Sequence, residues 1–162
     1  MLHLRIFTDG SVNTRLKVGY GAYLVISDLS TSIDTLKDKV KIKRFEPTSS
    51  TKLELQTLLW SLDEAIFLTD ESDFTLTIYT DSQNIIGLPG RRIGLEQNLY
   101  FSNKNKRLNN HELYKEFYRL TSNIKYKLVK VVGHQASNKK DHIDRLFSLV
   151  DKASRRALRE EF

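Results

Sequence analysis

The spacing of apolar residues changes twice along the chain, and the changes mark out its elements. His3–Thr8 and Tyr20–Ile26 are rich in β-branched and aromatic residues and predict two strands, with Asp9-Gly10-Ser11 as the turn after the first. A polar connection, Ser27–Asp38, leads to a third strand near Lys39–Phe45. The period then lengthens. Leu55, Leu58, Leu59, Leu62 and Ile66 fall on one face of a helix. Phe74–Thr80 alternates as a fourth strand, and Ser82–Gly87 begins a second helix. Asn109–Leu120 predicts a further helix, with Asn109 as its cap and Glu112 three residues on. Ile124–Val132 is a fifth strand. In the tail, Asp141–Glu161, the residues Ile143, Leu146, Phe147, Val150, Ser154 and Ala157 share one face of a long final helix.

The order is β-β-β-α-β-α-(α)-α-β-α. Three successive strands followed by alternating helices predict an α/β fold with a five-stranded mixed sheet, antiparallel first and parallel later, covered by helices. Neither a repeat nor a proline-rich linker divides the chain, so residues 1–162 are expected to form one domain.

Composition narrows the chemistry. With 40% hydrophobic residues a packed core is available. The absence of cysteine excludes disulfides, thiol catalysis and thiolate metal sites. No stretch approaches the roughly 20 apolar residues of a membrane span, and the N-terminus lacks a signal-peptide layout, so a cytoplasmic protein is expected. Lys and Arg outnumber Asp and Glu by 26 to 20, a net charge of +6, which favours a polyanionic partner.

Three acids sit where strands end or helices begin: Asp9 after the first strand, Glu54 opening the first helix, and Asp81 after the fourth strand. Parallel strands bring such ends together. A fourth acid, Asp144 or Asp151, lies in the last helix. Clustered carboxylates repel unless cations neutralise them, and oxygen donors suit Mg²⁺ or Mn²⁺ rather than zinc. Each acid also has an ordinary structural use. Asp9-Gly10 suits a turn, Thr51 and Glu54 are spaced as a capping box, and Asp81-Ser82 suits a helix cap.

Longer motifs carry a specific resemblance. Ile6-Phe7-Thr8-Asp9-Gly10-Ser11 with Gly19-Tyr20-Gly21-Ala22 resembles the opening of type I ribonucleases H, in the ribonuclease H-like superfamily. Thr51-Lys52-Leu53-Glu54-Leu55, Tyr79-Thr80-Asp81-Ser82-Gln83, Asn110-His111-Glu112-Leu113-Tyr114 and Val131-Val132-Gly133-His134 follow in the family's order. The resemblance runs from about residue 4 to 158. It implies hydrolysis of the RNA strand of RNA–DNA hybrids by a monomeric endonuclease. Asp9, Glu54, Asp81 and one tail aspartate would hold two Mg²⁺ ions about 3.5–4 Å apart, with Asp9 bridging them and Mn²⁺ as the alternative ion. His134 would assist proton transfer or product departure. Its ordinary use would be as a polar residue ending a strand.

For the fourth carboxylate the sequence leaves both candidates open. Asp144 lies ten residues after His134, the usual family spacing, and this sets it ahead. Asp151 lies seven further on, on the same helical face, within Val150-Asp151-Lys152-Ala153-Ser154-Arg155, which resembles the final-helix motif.

Substrate contacts are expected from the basic segment Pro89–Arg107, through Arg91, Arg92, Lys104, Lys106 and Arg107. Selectivity for a hybrid would come from contacts to 2′-hydroxyls near Gly10, Ser11 and Asn13 and from Ser50, Thr51 and Gln83. Two departures from the family bear on these contacts: hydroxyls at 49–51 replace the usual asparagine, and Lys140 stands four residues before Asp144. Two other functions fit the motifs: a DNA-directed nuclease of the same superfamily, and a nucleic-acid-binding module without activity.

Overall fold

A computed structural model describes residues 2–69, 73–132 and 141–162. Five strands, β1 (Leu2–Asn13), β2 (Val18–Ile26), β3 (Lys41–Phe45), β4 (Phe74–Thr80) and β5 (Lys125–Lys130), form one sheet in the order β3-β2-β1-β4-β5. β1 pairs antiparallel with β2, and β2 with β3; β4 is parallel to both β1 and β5. This is the expected mixed sheet.

The first turn differs from expectation. Asp9, Gly10 and Ser11 are strand, paired with Ala22, Gly21 and Tyr20. The chain reverses four residues later, at 14–17, where Lys17 takes a left-handed φ of 58°. Small residues at 10 and 21 serve helix packing rather than a turn. A Cβ on Gly21 would stand 2.1 Å from Thr57 Oγ1, and one on Gly10 would stand 2.8 Å from Leu53 Cδ2. Glycine lets a helix lie directly on this part of the sheet.

The helices of the described residues are α1 (Ile33–Lys37), α2 (Ser50–Leu68), α3 (Gln83–Ile86), α4 (Leu88–Gln97), α5 (His111–Thr121) and α6 (His142–Glu161), of which α2 and α6 lie most extensively on the sheet. The short α1 lies inside the connection read as polar, where Leu36 is its buried residue. The cap of α2 is Ser49, whose hydroxyl accepts from Lys52 N at 3.3 Å, so Thr51 and Glu54 do not form the capping box their spacing suggests. The cap of α5 is Asn110 rather than Asn109.

Strand periodicity sorts β1 between two cores. Leu4 and Ile6 pack with Leu76 and Ile78 of β4, with Leu55, Leu58 and Leu62 of α2, and with Phe117 of α5. Phe7, one residue out of phase, packs on the other face with Tyr79, Val131 and, from α6, Leu146, Phe147 and Val150. Its ring stacks on Tyr79 with centroids 4.6 Å apart. Burying each of these large side chains contributes about 1.5–3 kcal/mol, so both helix layers are held firmly. The even positions of β1 therefore look to α2 and the odd positions to α6.

Candidate functional site

That sorting decides what surrounds Asp9. The parallel ladder with β4 ends at Phe7 and Tyr79, while β1 continues alongside β2. Asp9 thus projects just beyond the paired end of β4, where Asp81 follows Thr80, and on the face that carries α6. Its side chain is hydrogen-bonded to that of Asp151, and Gly10 N–H donates to it. Burial, then the charges of Asp81 and Asp151, push the Asp9 carboxyl up to about 8. Burial and the like charges alongside both favour the protonated form of the Asp9 carboxyl in the absence of a cation.

Glu54 arrives from α2. It accepts from Ser82 Oγ at 2.5 Å, and burial first, with the Asp81 charge after it, raises its carboxyl above the usual range. Ser82 also caps α3 by accepting from Ile85 N at 3.2 Å. A crevice of about 10 Å³ is lined by Thr8, Asp9, Glu54, Thr57, Thr80 and Asp81. That is about the volume of one water-sized sphere.

Asp151 is buried, and Arg155 donates to it at 3.1 Å. Asp144, which the spacing set ahead, is not brought to this cluster. It forms a capping box with Asp141, each backbone N–H donating to the other's carboxylate at 2.8 and 3.2 Å. The reason is helical rise: seven residues place it about 10 Å down the axis from Asp151. His134 lies outside the described residues, as do Gly133 and Lys140.

The donors are carboxylate oxygens, with hydroxyls beside them, a set suited to a hard divalent ion. Among the described residues, no three His, Asp or Glu side chains already surround one point as a finished ligand shell. The Asp9–Asp151 and Glu54–Ser82 hydrogen bonds occupy these oxygens instead. A cation entering here would replace the Asp9 proton and a hydroxyl, which the chemistry of the donor set permits.

The family model that describes RNase H matches residues 2–151. The chain belongs to the RNase H family. Its fold is similar to that of a foamy viral protease-reverse transcriptase, solved in complex with dsDNA: TM-score 0.68, 13% identity, 94% of each chain covered. It is similar to LC9-RNase H1, described as a type 1 RNase H with the type 2 active-site motif: TM-score 0.68, 17% identity, covering 96% of this chain and 72% of that one. LC11-RNase H1, solved with an RNA/DNA hybrid, gives a TM-score of 0.63 at 14% identity, with 96% and 99% covered. No curated protein sequence matches it.

The structure places the other expected contact residues as follows. Gly10 lies under Leu53, and Ser11 Oγ is 3.2 Å from Ser154 Oγ. Asn13 Oδ1 accepts from Leu16 N at 3.0 Å and shapes the hairpin turn. Ser50 and Thr51 begin α2, with Ser50 exposed. Gln83 Oε1 accepts from Lys130 Nζ at 2.9 Å, a partner that strand register could have suggested, since Lys130 pairs with Thr80 beside Asp81.

The basic segment divides into two parts. Arg91 and Arg92, on α4, are engaged. Arg91 donates to Asn84 Oδ1 at 2.9 Å and lies over Tyr114, while Arg92 pairs with Glu96 at 2.9 Å and lies over Tyr118. Lys104, Lys106 and Arg107 are exposed on a small turn closed by the Phe101–Arg107 bridge, with Arg107 over the Phe101 ring. The segment read as one basic loop is therefore a helix whose arginines are held and a turn that presents its cations. No helix of the described residues is long and apolar enough to cross a membrane.

Proposed function

We propose that this RNase H-family protein is an endonuclease that hydrolyses the RNA strand of RNA–DNA hybrids with divalent magnesium. The observation that carries this reading is the buried Asp9 carboxyl, held against Asp81 and Asp151 and pushed up to about 8. A protein that used these acids only for structure would gain by removing one of them. Asp9, Glu54, Asp81 and Asp151 would hold the ions. Ions held there would supply Lewis-acid activation of a water and charge stabilisation at the leaving oxygen of a phosphodiester.

The chain's own residues do the rest. Ser82 and Arg155 fix the angles of Glu54 and Asp151 through their hydrogen bonds. Lys104, Lys106 and Arg107 offer charge to phosphates and give affinity without reading sequence. Gly10 and Ser11 lie on the strand beside Asp9, and Gln83 follows Asp81 by two residues. Their positions suit hydrogen bonds to the 2′-hydroxyls of a shallow minor groove. His134 is assigned proton transfer on the family resemblance. LC11-RNase H1, similar in fold, was solved with an RNA/DNA hybrid, which favours the same substrate here.

The test is a panel of labelled RNA–DNA hybrid, single-stranded RNA and double-stranded DNA, each with Mg²⁺ and with EDTA. Cleavage confined to the RNA of the hybrid, and lost in EDTA, is expected. Preferential cleavage of duplex DNA would make this a DNA-directed nuclease, and binding without cleavage would make it a recognition module.

A further inference from the structure

β1 and α6 run side by side in the same sense, so their facing residues form a ladder that climbs away from the carboxylates. Phe7 shares a core with Phe147, Asp9 is bonded to Asp151, and Ser11 Oγ lies 3.2 Å from Ser154 Oγ. The next step of the ladder is an open groove of about 670 Å³ between the hairpin tip and the end of α6. Asn13 and Arg15 line it on one side, and Leu158, Arg159 and Phe162 on the other.

The charges around this groove are mostly committed. Arg155 is paired with Asp151 at 3.1 Å, Arg156 with Glu160 at 3.0 Å, and Glu161 with Arg44 at 2.7 Å. Arg15 and Arg159 are exposed, and among the described residues no ion pair or side-chain hydrogen bond involves either. Two guanidinium groups in one groove, with the neighbouring acids taken, present five-donor forks suited to phosphate oxygens.

The geometry points to a second phosphate-contact site in which Arg15 and Arg159 grip the backbone of the strand whose cut lies at the carboxylates. The inference rests on the hydrolysis of a nucleic-acid strand proposed above. Eight residues separate Asp151 from Arg159, about 12 Å along the helix. The site lies on the hairpin-and-α6 side, whereas Lys104 and Lys106 stand on the turn after α4. The strand would thus be held at two places.

The experiment measures equilibrium binding of a fluorescent RNA–DNA hybrid in EDTA across a range of salt, for wild type and for Arg15→Ala/Arg159→Ala. Lys37→Ala/Lys125→Ala removes the same two charges elsewhere and is the control. Both lysines are exposed, and Lys125 pairs with Thr75, six residues before Asp81, or about 20 Å along the strand. The arginine variant should bind about tenfold more weakly at low salt, with a log–log salt slope shallower by roughly 1.4–1.8. The control should keep the wild-type slope, and Arg159→Glu alone should weaken binding further than Arg159→Ala. A wild-type slope in the arginine variant, or an equal loss in the control, overturns the site. A wild type that binds the hybrid but cuts no nucleic acid refutes the proposed activity alone, and the slopes still decide the contact.

Discussion

Replacing Asp9 by asparagine should stabilise the ion-free protein, and by an amount that grows with pH. The Asp9 carboxyl is raised from 3.8 to about 8, mainly by burial and then by Asp81 and Asp151. A group whose folded pKa lies above its unfolded value binds more protons when folded, so stability is greatest below about pH 4 and is lost as pH rises towards 8. At 1.36 kcal/mol per unit, a carboxyl so displaced costs about 4 kcal/mol at pH 7 if it bears the whole shift alone. Relaxation and water entry offset part of that cost, so about 2–4 kcal/mol is the expected range. Asparagine keeps the shape, carries no charge, and still offers an N–H to Asp151. Urea unfolding in EDTA at pH 5, 7 and 8.5 should show wild type losing stability across the series and Asp9→Asn losing much less. The variant should be the more stable protein at pH 8.5. If it is the less stable one there, or if wild type shows no loss above pH 5, the buried charge cluster is not what strains this site.

Two further substitutions separate placement from chemistry. Asp151→Asn should abolish hybrid cleavage, whereas Asp144→Asn should keep near-normal turnover and lose about 0.5–1 kcal/mol through the weakened capping box; a dead Asp144→Asn beside an active Asp151→Asn would reverse the assignment. Gly21→Ala drives a Cβ into Thr57 and should cost about 1–3 kcal/mol in urea unfolding while displacing α2 and its Glu54, so turnover should fall with stability; a variant as stable as wild type would show that α2 does not press on the strand.

Much of this architecture was legible in residue order. The period-two run Phe74–Thr80 and the helical spacing of Leu55, Leu58 and Leu62 each specify one element through burial, and the structure has them there. Local rules misled where packing overrode them. Asp9-Gly10-Ser11 has turn composition, yet it is strand because α2 needs the space a Cβ would fill. Thr51 and Glu54 have capping-box spacing, but Ser49 takes the cap and frees Glu54 for Ser82. The two tail aspartates share a helical face, so phase could not choose between them. The choice comes from the register of α6 against β1, which rests on Phe7 with Phe147 and Ser11 with Ser154, and no single segment encodes it. Glu54 and Asp81 could be found because each stands near the end of an element, and Asp9 because it closes the predicted first strand, which in fact runs on to Asn13. The partners that orient the cluster, Ser82 and Arg155, are ordinary polar residues whose part is visible once the elements are assembled.

The claim that these carboxylates take up divalent ions is tested most directly by calorimetric titration with Mg²⁺ in buffers of different ionisation enthalpy. An ion entering a site where Asp9 holds a proton must expel it. The account predicts binding that releases close to one proton at pH 7 and much less at pH 9, and that is lost in Asp9→Asn. Binding that persists undiminished in Asp9→Asn, or that releases no proton at pH 7, would contradict it.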